Sequence, residues 1–82
     1  MAHTASNKVA HKLTNNRTHP VTIILEPWGG EYDHGPGDSF DLMVEGDVGA
    51  PLEFEFNGDD MTITSDGPHL GIAREGKFLP AR

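Results

Sequence analysis

The reading of the fold turns on Leu52-Glu53-Phe54-Glu55-Phe56-Asn57-Gly58-Asp59-Asp60-Met61-Thr62-Ile63-Thr64. Leu52, Phe54 and Phe56 alternate with Glu53, Glu55 and Asn57, and Met61 and Ile63 alternate with Thr62 and Thr64. A period of two is that of an extended strand with one face turned to a core. The link Asn57-Gly58-Asp59-Asp60 can be tested for register. An even-length loop brings Phe54 and Phe56 to the same face as Met61 and Ile63, which is what a buried face requires. With Asn57-Gly58 at the centre of the turn, Glu55 would face Asp60, two like charges in contact. With Gly58-Asp59 at the centre, Phe56 meets Met61, Phe54 meets Ile63 and Glu55 meets Thr62. Cross-strand pairs contribute only about 0.2–1 kcal/mol each, but every one of them favours the second register.

The same period extends in both directions. Val21, Ile23 and Leu25 alternate with Thr22, Ile24 and Glu26, and Phe40, Leu42 and Val44 with Asp41, Met43 and Glu45. Leu70 and Ile72 follow Pro68, and Glu75-Gly76 marks a tight turn between Ala73-Arg74 and Lys77-Phe78. Near the start, Val9, Ala10 and Leu13 fit a helical face while Val9, His11 and Leu13 fit a strand face; the strand, Lys8 to Thr14, is the preferred reading. Gly and Pro recur too often beyond it for a helix of ordinary length. The expected fold is all-β: a compact antiparallel β-sandwich (Ig-like or cupredoxin-like), or a small barrel, of six to seven short strands. Residues 1–7 are expected to form a flexible N-terminal tail and residues 8–80 a single β-domain. With 82 residues, the chain has a thin core and modest stability.

Composition narrows the function classes. There is no cysteine, which excludes a disulfide framework, thiol chemistry and the thiolate of a type-1 copper centre. Six Lys+Arg against thirteen Asp+Glu leave a net charge of −7, which argues against nucleic acid and anionic membrane as partners. The total conceals a pattern. Residues 1 to 20 carry Lys8, Lys12 and Arg17 and no acid; residues 21 to 70 carry twelve acids and no Lys or Arg; residues 71 to 82 carry Arg74, Lys77 and Arg82 against Glu75. Such a bias serves solubility, or forms an acidic face for a basic partner or a cation. The outward positions Asp41, Glu53 and Glu55 form one acidic surface if the strand over 38–45 lies in the same sheet as the hairpin. No apolar stretch approaches the roughly 18 residues of a membrane helix, and Met1–Lys8 lacks the build of a signal peptide. A cytoplasmic setting is the expectation.

Leu25-Glu26-Pro27-Trp28-Gly29-Gly30-Glu31-Tyr32 contains the only Trp and the only Tyr. Such side chains combine large contact area with a polar tip and are enriched at binding hot spots, although a lone Trp also serves as the lid of a sandwich end. The run Pro20-Val21-Thr22-Ile23-Ile24-Leu25-Glu26-Pro27-Trp28-Gly29, with Tyr32 and Pro36-Gly37-Asp38-Ser39-Phe40, resembles small uncharacterised bacterial β-sandwich proteins. Those proteins carry a PV-x-V-x-LEPWG strand, a tyrosine and a PG-D/E-S turn, and the likeness spans about residues 15 to 65. It implies a compact β-sandwich and brings no activity with it. The chain departs from that pattern with Asp38 where Glu is usual, and with His34 where an apolar residue often precedes the Pro-Gly turn.

Five histidines invite a metal reading, but no local spacing such as HxH or HExxH is present. His11, His34 and His69 would have to converge through the fold. Asp59 and Asp60 supply hard oxygens near a turn, without the EF-hand spacing that calcium loops use. Ser39 lacks a G-x-S-x-G context, and no glycine-rich loop opens a helix. No cofactor is expected. The sequence therefore reads as a non-catalytic binding module, a monomer or weak homodimer, with Trp28 and Tyr32 as aromatic anchors and Asp41, Glu53 and Glu55 as the charged surface. The partner expected for such a surface is a basic protein surface. The alternatives are an immunity-type inhibitor masking a basic site on its partner, and a metal-binding cupredoxin-like protein.

Overall fold

The computed structural model describes residues 7–82; the tail expected over 1–7 falls, but for Asn7, outside the described residues. Eight strands lie among them: β1 (Lys8–Thr14), β2 (Val21–Glu26), β3 (Gly30–His34), β4 (Ser39–Glu45), β5 (Leu52–Asn57), β6 (Asp60–Ser65), β7 (His69–Arg74) and β8 (Lys77–Phe78). They form two four-stranded sheets, ordered β1-β4-β7-β8 and β3-β2-β6-β5. The molecule is a β-sandwich, and β1 is a strand.

Two details differ from the sequence reading. There are eight strands in place of six or seven, because Gly30–His34 is a further strand. Its alternation is masked by having Tyr32 and His34, not aliphatic residues, on the inward side. The second sheet is mixed, since β2 and β6 run parallel, with Ile23 beside Met61 and Leu25 beside Ile63. The Gly46 amide donates to the Asn7 carbonyl, and the Arg82 amide to the Glu31 carbonyl, each at 2.9 Å.

The β5–β6 hairpin has the register that the charges favoured: Phe54 opposite Ile63, Glu55 opposite Thr62 and Phe56 opposite Met61. Gly58 takes a φ of 61°, a conformation glycine adopts without steric cost, at the first central position of the turn. Between the sheets, Ile23, Leu25, Phe40, Leu42, Val44, Ile63, Leu70 and Ile72 are buried. The inward row of β5 is not covered to the same degree: Phe54 is 46% and Phe56 63% exposed. These two aromatics sit on the core side, as the register requires, but on an edge strand that the opposite sheet only partly covers.

The crossover from β1 to β2 is organised by Asn15, buried at 5% exposure. Its side-chain amide donates to the His19 and His34 carbonyls at 2.9 Å each, and its Oδ1 accepts from the Arg17 amide at 2.9 Å. Its own amide donates to the Asp38 carbonyl and its carbonyl accepts from Gly37. One residue thus ties together the β1–β2 link and the end of β3 through its side chain, and the β3–β4 link through its backbone.

Candidate functional site

Parity decides which side chains face outward on the β3-β2-β6-β5 sheet. Thr22 pairs with Asp33 and Asp60, Ile24 with Glu31 and Thr62, and Glu55 with Thr62. Since Ile23, Leu25, Met61 and Ile63 point into the core, all of these point away from it. The outer face is therefore a strip of Thr22, Ile24, Thr62 and Thr64 along the two central strands, framed by six carboxylates. Glu31 and Asp33 stand on β3, Glu53 and Glu55 on β5, and Glu26 and Asp60 at the ends of the central strands. Three inter-strand spacings separate the carboxylates of β3 from those of β5, about 14 Å.

Among the described residues, Arg82 is the basic side chain on this face. It reaches the Asp33 Oδ1 at 2.8 Å and the Glu31 Oε1 at 3.5 Å. At one end, Asp59 holds the His19 Nε2 at 2.8 Å and Arg17 at 3.9 Å, outside the frame. All these groups are substantially exposed, so the pairs contribute little to stability.

Glu53 and Glu55 thus lie where the outward alternation placed them, but Asp41 does not join them. β4 belongs to the other sheet, where Asp41 stands opposite Lys12 and Glu45 is bridged to Lys8 at 3.7 Å. The single acidic surface containing Asp41 is corrected: the frame is completed by Glu26, Glu31, Asp33 and Asp60. The parity of Glu31 and Asp33 was legible once β3 is recognised as a strand. The parallel β2–β6 pairing that brings them alongside Glu55 has no local signature.

Trp28 lies on the β2–β3 turn, where the Glu26–Pro27 peptide is cis and the Gly29 amide donates to the Leu25 carbonyl. It is 45% exposed and packs edge-on against His69, ring centroids 5.0 Å apart. Tyr32 is half-buried on β3, on the inward side, and packs against the core. The two therefore belong to a turn and to the strand that follows it. Trp28, Tyr32 and His69 line an open hollow of about 320 Å³, and Tyr32 and His69 continue into a second of about 330 Å³ beside Phe78. Phe78 lies over Gly71 so closely that a Cβ there would meet its ring at 2.8 Å. His69 and Phe78 are thus additional members of an aromatic margin that adjoins the acidic face across β3.

The candidate metal ligands are not brought together. His11 is exposed on β1, His69 is on the Trp28 margin and His34 is in the core against Phe40, centroids 4.3 Å apart. Asp59 faces Arg17 and His19, while Asp60 faces outward. Among the described residues no group of three or more His, Asp and Glu side chains is placed to hold a metal ion.

His34 is 3% exposed and its Nε2 has no hydrogen-bond partner. Burial lowers its pKa below the ordinary 6.5, only partly opposed by the Asp38 carboxylate. Above pH 6.5 the imidazole is neutral in both folded and unfolded chains. As pH falls through that value, the unfolded chain takes up a proton that the folded one resists, so stability falls. The melting temperature is expected to drop between pH 7.5 and pH 5.5, and His34→Phe, which keeps a ring against Phe40, to flatten that drop. Parallel pH profiles for the two proteins would remove His34 as the cause.

Comparison with known proteins finds no matching family model, no matching curated protein and no matching solved structure. No helix among the described residues is long and apolar enough to cross a membrane.

Proposed function

We propose that this protein is a non-catalytic binding module whose acidic sheet face receives a basic protein surface. The observation that supports it is the frame of six carboxylates around a Thr/Ile strip, with Arg82 as its basic counterweight among the described residues. A partner suited to it presents lysines or arginines on either side of a ridge of small or apolar side chains. The hydrogen-bonded sheet holds the carboxylates in place before binding, so little ordering cost falls on this side of the complex. Trp28 and Tyr32 at the adjoining margin supply the apolar anchor that a charged surface by itself lacks. The resemblance to small bacterial β-sandwich proteins adds a proposed kinship and no activity. Masking of a basic site, as an immunity-type inhibitor does, is the form of this reading that the acidic excess on this face favours.

The test is crosslinking capture from the native cell with three proteins: wild type, Trp28→Ala, and a face variant combining Glu31→Gln, Glu53→Gln, Glu55→Gln and Asp60→Asn. Association of the captured partner with wild type is expected to weaken steeply with ionic strength. The face variant is expected to lose roughly tenfold or more in association rate, since steering by such charges reaches 10–10³-fold. A partner held equally by wild type and the face variant would overturn the electrostatic reading. One held equally by wild type and Trp28→Ala would remove the aromatic anchor.

A further inference from the structure

Among the described residues, overlay of the two sheets leaves one margin of the sandwich open. Leu13 of β1 and Phe56 of β5 line one hollow, and Tyr32 of β3 and Phe78 of β8 another, so β1 overlies β5 and β8 overlies β3. Among the described residues β1 and β5 are both edge strands, each with one unpaired row of backbone donors and acceptors. The inward row of β1 is Val9, His11 and Leu13; that of β5 is Leu52, Phe54 and Phe56. Val9, Leu13 and Leu52 still touch the core, whereas Phe54 and Phe56 are about half exposed or more. The outward rows differ in sign. β1 carries Lys8 and Lys12, and β5 carries Glu53 and Glu55.

We propose that a second copy of this chain covers this margin, β1 of each copy adding to β5 of the other about a twofold axis parallel to the strands. The directions follow from the connections. Each short link between the sheets (15–20, 35–38, 46–51 and 66–68) reverses the chain, so β1 and β5 run the same way, consistent with the observed parallel β2–β6 pair. A twofold axis along the strands then sets β1 beside the other copy's β5 in parallel. It makes two eight-stranded sheets, places lysines beside glutamates twice, and encloses Phe54 and Phe56 of both copies. The competing twofold, perpendicular to the sheets, would set β1 on β1 and β5 on β5, facing Lys with Lys and Glu with Glu. Charge therefore selects between the two symmetric arrangements. The apolar area gained is small, a few half-exposed rings, so the association is of the weak, concentration-dependent kind. It does not rest on the acidic-face reading, of which only Glu53 and Glu55 border this margin, and it is tested on the purified chain with no partner.

Sedimentation velocity from low micromolar to millimolar concentration is expected to show a monomer–dimer equilibrium. Lys12→Glu and Glu55→Lys are each expected to weaken it about tenfold, because every contact occurs twice, and the double charge swap to restore it. Phe56→Ser is expected to abolish it while leaving the circular dichroism spectrum unchanged. The chain has no cysteine, so orientation can be read from single Lys12→Cys and Glu55→Cys chains with a short bis-maleimide. A 12–55 crosslink formed only on mixing the two supports the arrangement; predominant 12–12 or 55–55 crosslinks overturn it. So does a chain that stays monomeric throughout, or a dimer indifferent to both charge reversals.

Discussion

Asn15→Ala is expected to destabilise the domain by about 2–4 kcal/mol, more than its position in a link between strands suggests. Three hydrogen bonds end on this side chain, and two of them satisfy the carbonyls of His19 and His34. Removing the amide leaves the buried His34 carbonyl without that donor, and an unpaired buried group costs roughly 1–3 kcal/mol. The Arg17 amide loses its acceptor in the same step. A domain of this length has a total stability of about 4–12 kcal/mol, so the variant gives up a large share of it. Urea unfolding, read as the midpoint at unchanged slope, measures the loss. Asn15→Asp separates the contributions: it keeps the acceptor for Arg17 but sets a buried carboxylate oxygen against the His19 and His34 carbonyls, and is expected to cost at least as much as Ala. A midpoint for Asn15→Ala within error of wild type would show that water replaces these bonds without cost.

The second large effect concerns two inward-row residues of one hairpin that are not directly opposite each other. Ile63→Ala is expected to cost about 3–5 kcal/mol, the range for truncating a fully buried aliphatic side chain in a site that cannot collapse. Ile63 has no exposed surface and lies at the centre of the inward row. At about 4–8 °C per kcal/mol, its melting temperature falls by about 15–30 °C, enough to unfold much of the population at physiological temperature. Phe56→Ala, two positions from Ile63's partner Phe54, is expected to cost under about 1 kcal/mol, because most of that ring is already in water. Thermal melts of dilute protein, below the dimerisation range, make the comparison. Equal losses for the two variants would mean that Phe56 is part of the core.

That contrast shows where local pattern stops being informative. Alternation says that Phe54, Phe56, Met61 and Ile63 share a face, and the charges of Glu55 and Asp60 choose the register; both are pairwise matters between neighbours in sequence. Whether a shared face is covered depends on what the other sheet places over it. β4 and β7 lie above β6 and β2, whereas β1, which sets His11 between Val9 and Leu13 on its inward row, covers β5 only in part. The same reasoning applies to the candidate site. The outward parity of Glu53 and Glu55 is local, but the company they keep is not. Asp41 has the same parity and the same charge, yet it lies on the opposite side of the molecule, because its strand entered the other sheet.

The amino-acid sequence by itself determined the all-β class, the β5–β6 register and the turn at Glu75-Gly76, because strand period and turn chemistry act over a few residues. The tertiary structure alone decided that β2 runs parallel to β6, that six carboxylates frame one face without Asp41, that His69 and Phe78 join Trp28 and Tyr32, and that Phe54 and Phe56 stand at an open margin. Each of these depends on contacts between segments far apart in the chain. Such contacts are selected by the total area the two sheets bury together, a quantity that no short stretch of sequence carries.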